Sequence, residues 1–155
     1  MEKTNVMRIL DKQGIEYKAW QYDNTLTDGK LVADAVGRDR QQVFKTLVTV
    51  GNDLNHYVFV VPVEESLDLK KAAKSVGVKS VAMIKQKELL PLTGYIHGGC
   101  SPIAMKKQFV TVINDTAMLF DTICFSAGKV GMQVEMSPDV LAKLINAKFD
   151  DIIEY

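Results

Sequence analysis

Alternation of apolar and polar positions along the chain predicts a series of short β-strands. Over residues 130–136, valine and methionine alternate with glycine, glutamine and glutamate, which predicts a strand with one buried face. Apolar residues over 43–51 and 56–63, separated by Asn52 and Asp53, predict a β-hairpin. Further strands are expected at 15–22, 78–83, 109–113, 121–126 and 149–153.

A second periodicity, of three to four residues, predicts short helices between these strands. After Asp68, a typical N-cap residue, the apolar positions 69, 72, 73 and 76 follow helical spacing, and Gly77 ends the segment. Ser137 followed by Pro138 is a helix start. Further helices are expected to begin near residue 4, at residue 31 and at residue 85, the last of them ended by Pro91.

This mixture of elements predicts an α+β fold. We expect a single domain over residues 1–155, in which a mixed, mostly antiparallel and barrel-like β-sheet is flanked by several short helices. The helices occur too irregularly for a regular βαβ array. The sequence contains neither a phosphate-binding loop signature nor a recognisable Ser-His-Asp pattern.

Composition and charge narrow the functional classes. The chain has 19 basic and 19 acidic residues, so no global basic field indicates a nucleic-acid partner. Two cysteines, Cys100 and Cys124, form neither a disulfide framework nor a zinc-binding pattern. The first eleven residues lack the apolar stretch of a secretory signal, and no apolar run reaches membrane-spanning length. We therefore expect a reduced, cytoplasmic setting and no membrane partner.

A local run of positive charge stands out against this neutral background. Residues 70–87 contain six lysines and no acid, and Lys106 and Lys107 follow. Such a run is usually a solvated face of the protein. Because all its charges have one sign, a surface that contacts a phosphate backbone is the alternative interpretation.

The segment 94–102 is the first candidate for chemistry. Gly98 and Gly99 give backbone freedom, whereas Pro102 fixes the chain directly after them. This combination predicts a shaped loop whose amides hold a carbonyl oxygen or a phosphate. An ordinary tight turn is the alternative.

Three further features are candidates for the site. Lys45 lies among apolar strand residues, so it either reaches a cleft or extends to water at the strand's exposed start. Cys100 lies three residues after His97, but no third group is evident that would orient such a pair for nucleophilic catalysis. Residues 126–129 form either a plain hairpin turn or a second loop facing the first.

Taken together, five segments resemble the YbaK/EbsC family. They are Val-Phe-Lys-Thr-Leu at 43–47, Leu-Asp-Leu-Lys-Lys-Ala-Ala at 67–73, the Gly-Tyr/Gly-Gly/Ser-Pro pattern at 94–102, Ser-Ala-Gly-Lys at 126–129 and Ala-Lys-Phe-Asp-Asp-Ile at 147–152. The family is similar to the editing insertion domain of bacterial prolyl-tRNA synthetases. This chain most resembles its free-standing Cys-tRNA(Pro) deacylase branch.

The resemblance implies a function and a set of site residues. It implies hydrolysis, in trans, of a wrongly charged amino acid from the 3′ end of tRNA, without metal or other cofactor. It also implies prolyl-tRNA synthetase as a partner in a ternary complex. It assigns catalytic roles to Lys45, Gly98, Gly99 and Ser101, and substrate binding to Tyr22, Tyr95, Cys100, Pro102, Ser126, Ala127 and Gly128. In the cysteine-specific branch, the substrate's own thiol attacks its ester.

Alternatives to this function remain at the level of sequence. Ala127 and Gln133 depart from the family pattern, which has a glycine and an acidic residue at these places. A non-catalytic tRNA- or synthetase-binding module would fit such departures. A deacylase for another small amino acid, such as alanine on tRNA(Pro), and a different hydrolase that uses Cys100 are the other two possibilities.

Overall fold

The computed structural model describes residues 2–155, which form five α-helices, one 3₁₀-helix and eight β-strands. The helices are α1 (Asn5–Lys12), α2 (Gly29–Val36), α3 (Leu69–Val76), α4 (Gln86–Thr93) and α5 (Pro138–Ile145), and the 3₁₀-helix is Asp115–Leu119. The strands are β1 (Lys18–Gln21), β2 (Phe44–Gly51), β3 (His56–Pro62), β4 (Val81–Met83), β5 (Val110–Asn114), β6 (Ile123–Lys129), β7 (Met132–Met136) and β8 (Lys148–Asp150).

The strands form two sheets. The smaller sheet has the order β1-β7-β6 and is antiparallel throughout. The larger has the order β4-β2-β3-β5-β8 and is mixed, because β3, β5 and β8 run parallel to one another. The predicted α+β class is confirmed.

The two sheets meet at one corner and do not close into a barrel, so the expected barrel-like sheet is wrong. A bridge between Val43 and Cys124, with a 3.0 Å hydrogen bond from the Cys124 amide to the Gln42 carbonyl, joins the start of β2 to β6. The remaining edges of the two sheets are not hydrogen-bonded to each other within residues 2–155. Local sequence patterns encode the positions of the strands, but not whether the sheets close into a barrel.

Hydrophobic clusters cover both faces of the larger sheet. One face packs against α1, α5 and the smaller sheet, with Phe44 and Phe125 fully buried between them. The other face packs against α3 through Ala72 and Ala73, which belong to the same buried cluster as Phe59. Burial of this apolar surface is the main stabilising contribution to the fold.

Helix α2 lies on the outer face of the smaller sheet, and this changes the expectation for β7. Ala33 and Val36 of α2 pack against Trp20 and Cys124. Both faces of β7 are consequently buried, whereas the alternation of residues predicted one exposed face. The polar side of the strand therefore faces protein instead of water.

Pro91 does not end α4, contrary to the prediction. The helix continues to Thr93, whose hydroxyl donates a 2.7 Å hydrogen bond to the Leu89 carbonyl, and the Gly94 amide bonds the Leu90 carbonyl at 2.8 Å. Pro91 has no amide to bond the Lys87 carbonyl, but these two bonds hold the last turn of the helix in place beyond it. Among residues 2–155, no helix is long and apolar enough to cross a membrane.

Candidate functional site

A cavity of about 150 Å³ lies where β2, α2, α4 and the segment 94–102 meet; we call this segment the glycine loop. The residues that line the cavity are Tyr22, Gly29, Val32, Val43, Phe44, Lys45, Thr46, Leu47, Val63, Leu89, His97, Gly98, Cys100, Ser126 and Gln133. Of the eleven predicted site residues, five line it: Tyr22, Lys45, Gly98, Cys100 and Ser126.

An open strand edge creates this cavity. Strand β4 pairs only with residues 49–51 of β2, and the bridge to β6 lies at Val43, so residues 45–47 between them have no strand partner on that side. At such an edge, side chains from both faces of a strand border the same space. Lys45 and Thr46, which point to opposite faces of β2, therefore both line the cavity.

Lys45 is half-buried at the cavity wall. Burial lowers the pKa of its ammonium, and the charge of Lys30 lowers it further. Asp28 and Glu65 act in the opposite direction and partly offset these effects. The result is a partly desolvated cation beside a small cavity, which is suited to hold a carbonyl or phosphate oxygen.

Two glycines of the glycine loop occupy positions that admit no side chain. Gly98 has φ +86°, and a Cβ there would lie 2.9 Å from Cγ2 of Thr27. A Cβ on Gly99 would lie 3.1 Å from the Val130 amide nitrogen. The loop is therefore wedged between the segment before α2 and the β6–β7 turn.

The glycine loop and the β6–β7 turn are in contact. A Cβ on Gly128, which has φ +92°, would lie 3.0 Å from Cε1 of Tyr95. Ser126 borders the cavity, and its Oγ accepts a 3.1 Å hydrogen bond from the Gly128 amide. The second of the two interpretations of 126–129, a loop facing the first, is the one that the structure has.

Only some amides of the glycine loop are free to bind a ligand. The Gly99 amide already donates a 3.0 Å hydrogen bond to the Ile96 carbonyl. The amides of Gly98 and Cys100 have no such partner among residues 2–155, and both residues line the cavity. The amides of Gly98 and Cys100 are therefore free to bind a ligand, whereas the Gly99 amide is engaged within the loop.

Several other predicted site residues lie outside the cavity lining and hold the two loops in shape. Ser101 is fully buried, and its Oγ accepts a hydrogen bond from the Ile103 amide at 3.3 Å. The Tyr95 hydroxyl donates to the Ile103 carbonyl, and burial raises its pKa to about 12. Pro102 is buried, and Ala127 packs in the main core. Together with Gly99 and Gly128, these residues do not line the cavity; they shape the two loops.

Cys100 is unsuited to nucleophilic catalysis. Burial raises the pKa of its thiol to about 12, so at neutral pH it remains protonated. His97 lines the cavity but its side chain is exposed, and no carboxylate belongs to a lining residue. The hydrolase with a Cys100 nucleophile therefore has no support from the geometry.

Three buried side-chain oxygens of residues that line the cavity have no hydrogen-bond partner. They are the Tyr22 hydroxyl, Oγ1 of Thr46 and Oε1 of Gln133, and each is unpaired within residues 2–155. An unpaired buried polar group is costly, so a small shift of these side chains toward a polar group in the cavity would be favourable. The sequence identified Tyr22 as a site residue but not the other two. An unusual polar residue in an apolar strand was the available signal for Thr46.

Among residues 2–155, no group of three histidine, cysteine, aspartate or glutamate side chains is placed so that it could hold a metal ion.

Comparison with known proteins assigns the chain to a family. The model of the aminoacyl-tRNA editing domain matches residues 26–144. The chain belongs to the aminoacyl-tRNA editing domain family. It is an aminoacyl-tRNA deacylase with tRNA as its substrate. All residues that line the cavity of this editing domain lie within the matched segment, except Tyr22, which precedes it.

Individual relatives extend this assignment. The editing domain is 44% identical over 155 residues to a protein of Enterococcus faecalis named as a candidate Cys-tRNA(Pro)/Cys-tRNA(Cys) deacylase, EbsC, covering 97% of this chain and 93% of the relative. The resemblance to the YbaK/EbsC family is confirmed.

Solved structures share the fold. One, described as a candidate trans-editing enzyme for prolyl-tRNA synthetase, superimposes with a TM-score of 0.87 at 24% identity and covers 100% of both chains. Another, of a hypothetical protein, has a TM-score of 0.89 at 22% identity, with 97% of this chain and 100% of that chain covered. At these identities the likeness concerns the fold alone.

Proposed function

We propose that this editing domain removes cysteine from mischarged Cys-tRNA(Pro) in trans, with the aminoacyl ester held in the cavity at the edge of β2. The observation that carries the proposal is the arrangement of the Lys45 ammonium and three unpaired oxygens around one small cavity. The name of the Enterococcus relative supports cysteine as the amino acid.

The size of the cavity supports a small amino acid. A cavity of about 150 Å³ is as large as an engineered cavity that holds benzene. A cysteinyl or alanyl group fits this space, whereas a long or bulky side chain does not. Editing serves small side chains, because binding alone discriminates poorly among them.

In this proposal, charged and polar groups of the cavity bind the ester. In the proposed complex, the Lys45 ammonium holds the ester carbonyl or the terminal nucleotide, and the amides of Gly98 and Cys100 stabilise a developing oxyanion. The side chains of Tyr22, Thr46 and Gln133 turn their unpaired oxygens toward the amino acid and accept hydrogen bonds from it.

The substrate's own thiol supplies the attack. Its sulfur forms a bond to the ester carbonyl carbon, the bond from that carbon to the ribose oxygen breaks, and the thiol proton passes to the ribose oxygen. Water then opens the resulting cyclic thioester. This route requires no nucleophile from the protein, in keeping with the protonated Cys100 and the lack of a carboxylate on the lining residues.

Loss of the ester from cysteine-charged tRNA(Pro) tests the proposal. We expect the protein to discharge Cys-tRNA(Pro) while Pro-tRNA(Pro), the matched control without a thiol, remains charged. Cys-tRNA(Pro) that remains intact with excess protein would contradict the proposal. Alanine-charged tRNA(Pro) in the same assay distinguishes the deacylase for another small amino acid.

The non-catalytic alternative receives little support. It depends on the departures at Ala127 and Gln133, yet Ala127 is packed in the core and does not touch the cavity. Gln133 does line the cavity, but its amide retains a hydrogen-bonding oxygen.

Prolyl-tRNA synthetase is the expected partner, and the cytoplasm, where tRNA is charged, is the expected location. A chain without net charge contacts tRNA weakly by itself, and docking on the synthetase would raise its effective concentration at the mischarged end. Co-elution of the protein with the synthetase and tRNA in gel filtration tests the complex; separate elution at micromolar concentrations would contradict it.

A further inference from the structure

Positive charge is concentrated in one part of this neutral molecule. The segment 69–114 contains eight lysines and a single acid, Glu88. The lysines are Lys70, Lys71, Lys74, Lys79, Lys85, Lys87, Lys106 and Lys107. This segment contains α3, β4, α4, the glycine loop and β5.

Four of these lysines lie on or shortly after α4 and the glycine loop, two elements that line one side of the cavity. Lys85 is the N-cap residue of α4, and Lys87 lies in its first turn. The side chain of Lys106 lies near Gly94, because a Cβ added to Gly94 would be 3.3 Å from Cγ of Lys106. Lys107 follows directly in sequence. We call Lys85, Lys87, Lys106 and Lys107 the basic rim.

The basic rim is free of ionic partners. All four side chains are exposed, and none forms a salt bridge within residues 2–155. By contrast, Lys71 of the same segment is paired with Asp151 at 3.0 Å. Unpaired cations of one sign beside a cavity attract a polyanion over distances up to the Debye length.

The opposite wall of the cavity, which α2 provides, carries charges of both signs. Asp23, Asp28 and Lys30 are exposed there, and Asp34 is paired with Arg40 at 2.7 Å. The excess of positive charge lies on the side of α4, which favours approach of a phosphate backbone from that side. The charges therefore define a direction of approach.

We propose that the basic rim contacts the phosphate backbone of the tRNA acceptor end, so that the RNA crosses α4 and the glycine loop and its 3′ end enters the cavity from that side. This inference rests on the proposed function, which supplies the partner. It adds which surface of the protein carries the RNA and which surface remains free.

The test compares two substrates and two double variants. The substrates are Cys-tRNA(Pro) and a short cysteinyl ester of adenosine, which has no phosphate backbone. Lys85→Glu/Lys87→Glu reverses two charges of the basic rim, and Lys12→Glu/Lys143→Glu reverses two exposed lysines on α1 and α5, which contribute nothing to the cavity.

We expect the rim variant to lose about tenfold or more in kcat/KM on Cys-tRNA(Pro), mainly through a higher KM. Its kcat/KM should also fall less steeply with salt concentration than that of the wild type, by the slope that about two phosphate contacts contribute. Its kcat/KM on the short ester should remain unchanged, and the α1/α5 variant should resemble the wild type on both substrates. Equal losses in both variants, or an unchanged rim variant, would overturn the proposal.

Binding of uncharged tRNA(Pro), followed by fluorescence anisotropy at low salt, separates this proposal from the proposed function. If the wild type hydrolyses neither substrate, the proposed function fails, and the rim is still tested by binding. Weaker binding by the rim variant alone supports the rim. Equal binding by all three proteins contradicts it.

Discussion

At the scale of single residues, Lys45 is the group on which the proposed chemistry depends most. Its side chain is half-buried beside the cavity, and in the proposed complex its ammonium replaces water around an ester or phosphate oxygen. We predict that Lys45→Ala lowers kcat/KM for Cys-tRNA(Pro) by about 100-fold or more, on the scale of losing an oxyanion contact.

Lys30→Ala provides the matched control for Lys45→Ala. Lys30 is exposed and lowers the pKa of Lys45 through its charge, but it does not line the cavity. Its removal should change the rate by only a few-fold and raise the pKa of Lys45. Equal rates for wild type and Lys45→Ala would remove Lys45 from the site.

Ala104 carries backbone strain that a single substitution relieves. It follows the glycine loop and has φ +65°, a left-handed conformation that costs an alanine about 1–2 kcal/mol. We predict that Ala104→Gly stabilises the protein by up to about 1 kcal/mol, since glycine's extra freedom in the unfolded chain cancels part of the gain. Thermal unfolding measures this, and a lowered Tm would show that the Ala104 methyl group contributes more by packing.

The residues of the site were only partly predictable from sequence. Lys45 and Gly98 were singled out because each breaks the local pattern in a way that has a chemical use, and both line the cavity. Gln133 was missed, since alternation assigned it to an exposed face and α2 covers that face. Ser101 was expected to be catalytic, but its hydroxyl accepts a hydrogen bond inside the loop.

At the scale of elements, one buried carboxylate connects the segment directly after α2 to the smaller sheet. Glu135 is 6% exposed and accepts hydrogen bonds from Trp20 Nε1 at 2.9 Å, Arg38 Nε at 3.2 Å and Thr122 Oγ1 at 2.6 Å. Arg38 also lies over the Trp20 ring, 4.9 Å from its centroid. Because α2 forms one wall of the cavity, this cluster fixes the position of that wall.

Glu135 should make the stability of the protein sensitive to acid. Burial alone would raise its pKa, but the hydrogen bonds from Thr122 and Trp20 and the charge of Arg38 outweigh this and lower it. A carboxylate whose pKa is lower in the folded state stabilises the fold above its unfolded pKa, about 4.3. That stabilisation is lost as the pH falls through the lower, folded value.

We predict that Glu135→Gln lowers the free energy of unfolding near neutral pH by about 1–3 kcal/mol, because charged hydrogen bonds are lost. The variant should also lose less stability than the wild type between neutral and acidic pH. Urea unfolding followed by fluorescence of Trp20, the single tryptophan, measures both. Parallel pH curves for the two proteins would contradict the assignment.

The elements themselves were largely predictable, because most carry local signals. The N-cap of α3 is Asp68, whose side chain accepts hydrogen bonds from two backbone amides, and α5 begins at Pro138 after Ser137. Pro91 misled the prediction because the Thr93 side chain and the Gly94 amide continue the bonding of α4. Such compensation involves groups outside the local pattern.

At the scale of the whole molecule, the sequence predicted the fold class but not how the sheets are arranged. The parallel pairing of β3, β5 and β8 joins segments far apart in the chain, and no local pattern encodes it. The open edge of β2 follows from the short pairing with β4. The cavity that holds the proposed substrate exists because of that edge.

Single-turnover discharge of Cys-tRNA(Pro) and Ser-tRNA(Pro) by the same protein is the decisive measurement. The two esters differ by one atom, sulfur against oxygen, so both fit the cavity between β2, α2, α4 and the glycine loop. We predict that the cysteine ester is discharged at least about 100-fold faster, because only its thiol attacks its own carbonyl effectively. Equal rates for the two esters, or an intact cysteine ester, would contradict a cavity that leaves the attack to the substrate.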